Sequence, residues 1–99
     1  MAIVIAGQFK LKPGVREEAI RQMTIMHDAS AAEAGCVSYR FYADFEDPDT
    51  IFLFEEWESP AALDAHGQTA HMAEWRRHVP SLIEGRSLKR YEVASAGPL

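Results

Sequence analysis

The chain switches between two hydrophobic periods. Residues 3–11 are dense in β-formers (Ile3, Val4, Ile5, Phe9, Leu11) and end at Lys12-Pro13-Gly14, a run of turn punctuation. From Val15 the apolar positions recur every three or four residues, at Val15, Ala19, Met23, Met26 and Ser30, which is the stripe of an amphipathic helix ending before Gly35. Cys36 to Phe45 and Thr50 to Glu58 are again rich in β-branched and aromatic residues. They flank the polar turn Glu46–Asp49 and predict a hairpin. Ser59-Pro60 pairs a hydroxyl N-cap with proline at the first helical position, opening a brief helix that ends near His66-Gly67. Thr69 caps another helix, with Met72, Trp75, Val79 and Leu82 on one face. Pro80 is expected to kink or shorten it and Gly85 to close it. Arg86 to Val93 predicts a last strand, and 94–99 a short frayed tail.

The order is β-α-β-β-α-β, an α+β chain of the ferredoxin-like type: a four-stranded antiparallel sheet with its helices on one face. Ninety-nine residues make one domain, with a core over 3–93. Apolar side chains stand on both parities of the second and third strands (Phe41 against Tyr39, Phe54 against Leu53), which favours a homodimer packed through the open face. Short chains bury a smaller share of their surface, and a second copy remedies that.

Composition removes several classes of function. With 10 Lys+Arg against 15 Asp+Glu the net charge is -5, the wrong sign for a duplex nucleic-acid binder. One cysteine excludes an internal disulfide. No run approaches the ~20 apolar residues of a membrane span, and the opening seven residues read as a strand and not a targeting peptide. A cytoplasmic protein is expected.

The four histidines carry the chemistry that is left, since imidazole moves protons near neutral pH. His27 borders the first helical stripe, one turn after Met23 and three residues before Ser30. His66 ends the short helix, and His71 and His78 flank Trp75. No metal is expected. His71 and His78 stand roughly 10 Å apart along a helix axis, and His66 and His71 are separated by five positions across Gly67, not the spacing of a helical zinc pair. A nucleophile elbow, a P-loop and a dinucleotide fingerprint are all absent. Glu55 and Glu56 alternate across a strand and cannot form a dyad; one faces solvent, and the other is expected to point inward or to pair with Arg40 or Arg90, a structural ion pair being the favoured role. Met and aromatic side chains suit a flat apolar ligand.

Gly35-Cys36 at a strand start, the Asp47-Pro48 turn, the aromatic strand ending Glu55-Glu56-Trp57-Glu58, and Ala65-His66 through Thr69 to His71 together resemble the antibiotic biosynthesis monooxygenase family. The resemblance implies a dimeric α/β barrel with a pocket in each subunit between sheet and helices. It also implies oxidation of quinols, polyphenols or polyketide-like rings by O2 without flavin, metal or other cofactor. Haem degradation is disfavoured, because that branch uses a first-strand Asn where Gly7 stands here. The same family contains an isomerase acting on a quorum-sensing sugar derivative, and a non-catalytic ligand-binding dimer is the third alternative. For the leading reading, His27, His66 and His71 are candidate bases or oxyanion donors. Ser30, Tyr39 and Arg40 are candidate polar contacts to the substrate, with Met72 and Trp75 as its wall.

Overall fold

The computed structural model describes residues 1–99. In chain order its elements are β1 (Ala2–Leu11), α1 (Arg16–Ala31), β2 (Cys36–Ala43), β3 (Thr50–Trp57), α2 (Pro60–Gly67), α3 (Ala70–Leu82) and β4 (Ile83–Val93). The strands form one antiparallel sheet in the order β2-β3-β1-β4. The ferredoxin-like arrangement is therefore present, with its second helical segment divided into α2 and α3.

Strand parity sorts the side chains. Ile3, Phe9 and Leu11 of β1, Tyr39 of β2, and Ile51, Leu53 and Trp57 of β3 are buried against Ala19, Met23 and Met26 of α1 and Trp75 and Leu82 of α3. Trp57, Ile3 and Ala19 are wholly inaccessible, and each large apolar side chain buried in this way contributes about 1.5–3 kcal/mol before entropy. Tyr39 and Phe41 lie two residues apart and share this covered side, so they do not represent opposite faces. The opposite parity carries Phe54 beside Ala6, and it exposes Tyr42, its cross-strand partner Phe52, and Tyr91.

Three boundaries differ from the sequence expectation. β2 stops at Ala43, before Phe45, because the Asp44 carboxylate accepts the backbone N–H groups of Glu46 and Asp47 and folds the chain into a loop. Pro80 lies inside the last turn of α3 without shortening it. Proline removes only its own N–H, and Lys12 takes up the carbonyls of Pro80 through Nζ (2.6 Å) and of Leu82 through its backbone N–H (2.9 Å). Gly85 accordingly does not end the helix. The chain is extended from Ile83, which pairs with Leu11, and β4 begins three residues earlier than expected. The α2 and α3 starts follow the capping prediction: Ser59 Oγ accepts from Ala62 N at 3.1 Å and Thr69 Oγ1 from Met72 N at 3.2 Å.

Gly35 enters β2 with φ +82°, and a Cβ there would lie 2.6 Å from that of Ala62. Gly14 has φ +78° with open space around it. Gly14→Ala therefore carries only the backbone cost of left-handed geometry, about 1 kcal/mol, whereas Gly35→Ala adds a collision with α2 and reaches about 2–3 kcal/mol or more. Urea unfolding of the two variants checks this order, and equal midpoints would contradict the α2 contact.

Candidate functional site

Two turns of chain bring three titratable groups together. The α2–α3 linker is held tight by Gln68 N donating to Ala65 O (3.1 Å) and by the Thr69 hydroxyl donating to His66 O (2.8 Å). This sets His66 in the last turn of α2 and His71 in the first turn of α3, facing the segment after α1. There Glu33 N donates to Ser30 O and Glu33 O accepts from Cys36 N. Glu33 Oε2 lies 2.7 Å from His66 Nδ1 and 2.7 Å from His71 Nε2. A carboxylate oxygen only accepts, so both of these ring nitrogens carry hydrogen and the opposite nitrogen of each neutral ring keeps a free lone pair.

His66 is 3% exposed and stacks on Trp57, with ring centroids 4.6 Å apart, while Tyr39 lies 5.6 Å away on another side. Burial pulls its pKa below the usual imidazole value, opposed by the Glu33 hydrogen bond, so the ring is neutral at pH 7. Burial, and secondarily Glu55, drives the Tyr39 hydroxyl far above its ordinary range, leaving it a neutral donor. Ser30 Oγ is fully buried without a hydrogen-bond partner, close enough to Tyr39 to moderate that rise.

Beside this cluster, a cavity of about 180 Å³ opens between α3 and the covered side of the sheet. Phe9, Phe41, Leu53 and Leu88 form its apolar floor, and Met72, Trp75 and Val79 its roof. Trp75 stands edge-on to Phe9 at 5.9 Å (83°), which fixes the indole as a flat wall. Tyr39 and Glu55 supply inner polar groups, and Arg76 and Arg86 reach it from α3 and β4.

Glu55 shares the core parity of Leu53 and Trp57 and is 6% exposed. Its Oε1 accepts from Trp57 Nε1 at 2.9 Å. Burial pushes the carboxyl up to about 7, only partly offset by that indole donor. The expected ion pair with Arg40 or Arg90 does not form. Arg40 belongs to the opposite parity, and Ile5 stands between Glu55 and Arg90 in their cross-strand row.

The structure thus brings Tyr39, Met72 and Trp75 to one cavity and His66, His71 and Ser30 to the polar layer next to it. His27 and Arg40 line a different, more open cleft of about 240 Å³ between α1 and β2, with Arg16, Met23 and Tyr42. There Arg40 Nη1 lies 3.4 Å from His27 Nε2, and His27 Nδ1 lies 3.0 Å from Asp28 Oδ1. Glu33 is the member that sequence reasoning missed, and such reasoning identifies Glu55 only as one of two strand carboxylates that could point inward, not as a site residue. Parity with Ile51, Leu53 and Trp57 could have placed Glu55 inside, whereas Glu33 sits in an aperiodic turn with no signal. As for a metal, the side-chain ligand atoms of Glu33, His66 and His71 lie within 4.8 Å of one another, a set whose chemistry fits a divalent ion of the zinc type. Spacing along one helix gave no sign of it, because the carboxylate comes from a distant turn.

Comparison with known proteins agrees with the fold and widens the context. The Synechocystis protein sll1783 is 37% identical over 98% of this chain and 67% of its own length. Escherichia coli K12 YgiN, named a "Probable quinol monooxygenase", is 31% identical over 71% of this chain and 77% of its own. The solved structure of Rv0793 from Mycobacterium tuberculosis superposes with a TM-score of 0.90 over 99% of this chain and all of the other, at 24% identity. Residues 2–78 match the family model described as antibiotic biosynthesis monooxygenase, and with that match spanning most of the fold just described, the chain belongs to the antibiotic biosynthesis monooxygenase family.

Proposed function

We propose that this protein is a cofactor-independent monooxygenase that oxidises a quinol, polyphenolic or polyketide-like aromatic with O2, working as a cytoplasmic homodimer. The observation that carries the reading is Glu55: a carboxyl poised at about 7 at the inner end of a cavity walled by Trp75, Met72, Phe9 and Phe41. A base with its pKa near working pH, held in an apolar slot, is what formation of an electron-rich ring anion needs. The name of YgiN supports the same reaction class.

For a ring CH2 flanked by phenolic groups, ionised Glu55 takes one proton and the resulting anion passes an electron to O2. The two radicals combine into a C–O–O bond, and protonated Glu55 returns its proton to the distal oxygen. Loss of the second C–H proton with cleavage of the O–O bond leaves C=O and water, so one oxygen atom enters the ring and the other leaves. Tyr39, kept neutral by burial, donates to the developing oxyanion. His66 and His71, oriented by Glu33, relay protons behind Tyr39. His27 and Arg40, in their separate cleft, take no part in this scheme. The bridged histidine pair also favours one second reading, an isomerase shuttling a proton between adjacent carbons without oxygen.

O2 uptake by metal-stripped protein across a panel of hydroquinones and of phenolic rings that carry a ring CH2 separates the two. Glu55→Gln is expected to lower the turnover rate by about 10²–10⁴-fold, and His66→Ala and His71→Ala to lower it less. No protein-dependent uptake would sink the monooxygenase reading. Uptake that survives unchanged in all three variants would remove these residues from it.

The rate should rise with pH through about 7 as Glu55 ionises, and this limb should vanish in Glu55→Gln. Stability should move the other way. A carboxyl whose folded pKa lies above its unfolded value binds its proton more tightly in the native state, so wild type loses stability relative to Glu55→Gln between about pH 4.5 and 7. Thermal midpoints that keep a constant gap over this range would show that Glu55 is not raised.

The outer face of the sheet supports the homodimer, since Tyr42 and Phe52 pair across it and Tyr91 lies on the same side, all exposed. Sedimentation at micromolar concentration should give a dimer that Phe52→Glu converts to monomer; a wild-type monomer contradicts it.

A further inference from the structure

We infer that the ligand of the α3–β4 cavity is an aromatic acid: a planar ring system carrying a carboxylate that projects out of the cavity onto arginine side chains. The inference rests on the ligand-bearing cavity of the reading above and names the class of molecule that fills it.

The covered side of the sheet is covered unevenly. On β1 and β3 its residues are largely buried, but on β4 the same parity bears Arg86, Leu88, Arg90 and Glu92, of which only Leu88 is part-buried. This exposed flank of β4 forms a ledge beside the cavity. Arg86 and Arg76, on opposite walls, both line the cavity, and Arg90 follows two positions after Leu88.

Charge makes this arrangement unusual for the molecule. The chain carries an excess of acids, yet no carboxylate lies within ion-pair distance of Arg76, Arg86 or Arg90. The other arginines are engaged elsewhere: Arg21 with Glu18, Arg77 with Glu74, Arg16 with the Pro48 carbonyl and Arg40 with His27. Arg76 Nη2 donates to the Gly67 carbonyl at 2.8 Å, which anchors the guanidinium without neutralising it. Glu92, the one carboxylate on this flank of β4, makes no ion pair. A guanidinium offers a planar fork of N–H donors that matches a carboxylate, and one placed at the edge of an apolar slot selects for a ligand with that group at its periphery. The inner end of the slot has the opposite preference. Glu55 and the neutral Tyr39 accept and donate hydrogen bonds to hydroxyl groups, and the Glu55 carboxylate repels a second negative charge. The ligand therefore enters ring first, hydroxyls inward and acid outward.

Calorimetric titration under anaerobic conditions tests this without turnover. The probes are 2,5-dihydroxybenzoate and 1,4-dihydroxy-2-naphthoate, each against its methyl ester, which keeps the ring and deletes the charge. Wild type is expected to bind at least one acid about tenfold or more tightly than its ester, and added salt should erode that preference. In the double variant Arg76→Gln, Arg86→Gln the acid should fall to the affinity of the ester while the ester is unchanged. Both side chains are exposed and the variant gives up only the Arg76–Gly67 hydrogen bond, so its thermal midpoint should fall by no more than about 5 °C, and Lys89→Gln, on the other face of β4, should leave the preference intact. Equal binding of acid and ester by wild type, or a preference that survives the double variant, overturns the aromatic-acid inference and leaves the cavity as a site for neutral rings. Failure of all four probes to bind overturns the ligand cavity itself, and the proposed oxidation with it.

Discussion

A carboxyl group placed on the core side of β3 is the constraint around which the rest of the site is arranged. Ile51, Leu53 and Trp57 share its parity and are nearly inaccessible, so Glu55 goes inside with them. An unsupported carboxylate there would cost several kcal/mol. The chain answers with one indole N–H and lets the group become a weaker acid, close to neutral pH. Everything around it accommodates that choice. Tyr39, directly across the strand pair, is a neutral hydroxyl and no cation, and the cavity in front of Glu55 is walled by rings. A guanidinium in contact with Glu55 would have returned its pKa to the ordinary range and removed its value as a base.

The second organising contact is the Glu33 oxygen shared by two imidazoles. It joins the end of α1 to the α2–α3 linker, and it selects the tautomer of each ring without requiring either to be charged. His66 is too buried to hold a proton readily, and its stacking on Trp57 links the histidine layer to the same indole that supports Glu55. Two carboxylates of different character therefore flank Tyr39. Glu33 is bonded to two N–H donors, while Glu55 is deprived of solvent and poised to titrate.

Much of the fold was legible because it depends on local chemistry. The capping hydroxyls of Ser59 and Thr69, the turn at Asp47-Pro48 and the period change at Val15 all act within a few residues. The boundaries that moved were those set by distant partners. Lys12 sustains the last turn of α3 past Pro80, and Leu11 draws Ile83 into the sheet. The same distinction runs through the site. Met72 and Trp75 were identifiable from helical spacing as an apolar wall, but nothing in the spacing of the four histidines separates His27 from His66 and His71.

The sequence by itself determined the order of elements, the identity of the buried stripe and the family, since periodicity, capping residues and motif strings are local properties of the chain. Only the tertiary structure decided which titratable groups meet. Glu33 reaches His66 and His71 across more than thirty residues, and Glu55 acquires its raised pKa from burial on the covered side of the sheet, not from its neighbours in the strand. The uneven covering of β4, which leaves Arg86 exposed at the edge of the slot, is likewise a consequence of how the helices pack on the sheet. The physical reason is range. Propensity and pattern act over a few residues, whereas desolvation and hydrogen bonding between remote groups exist only once the chain has closed on itself.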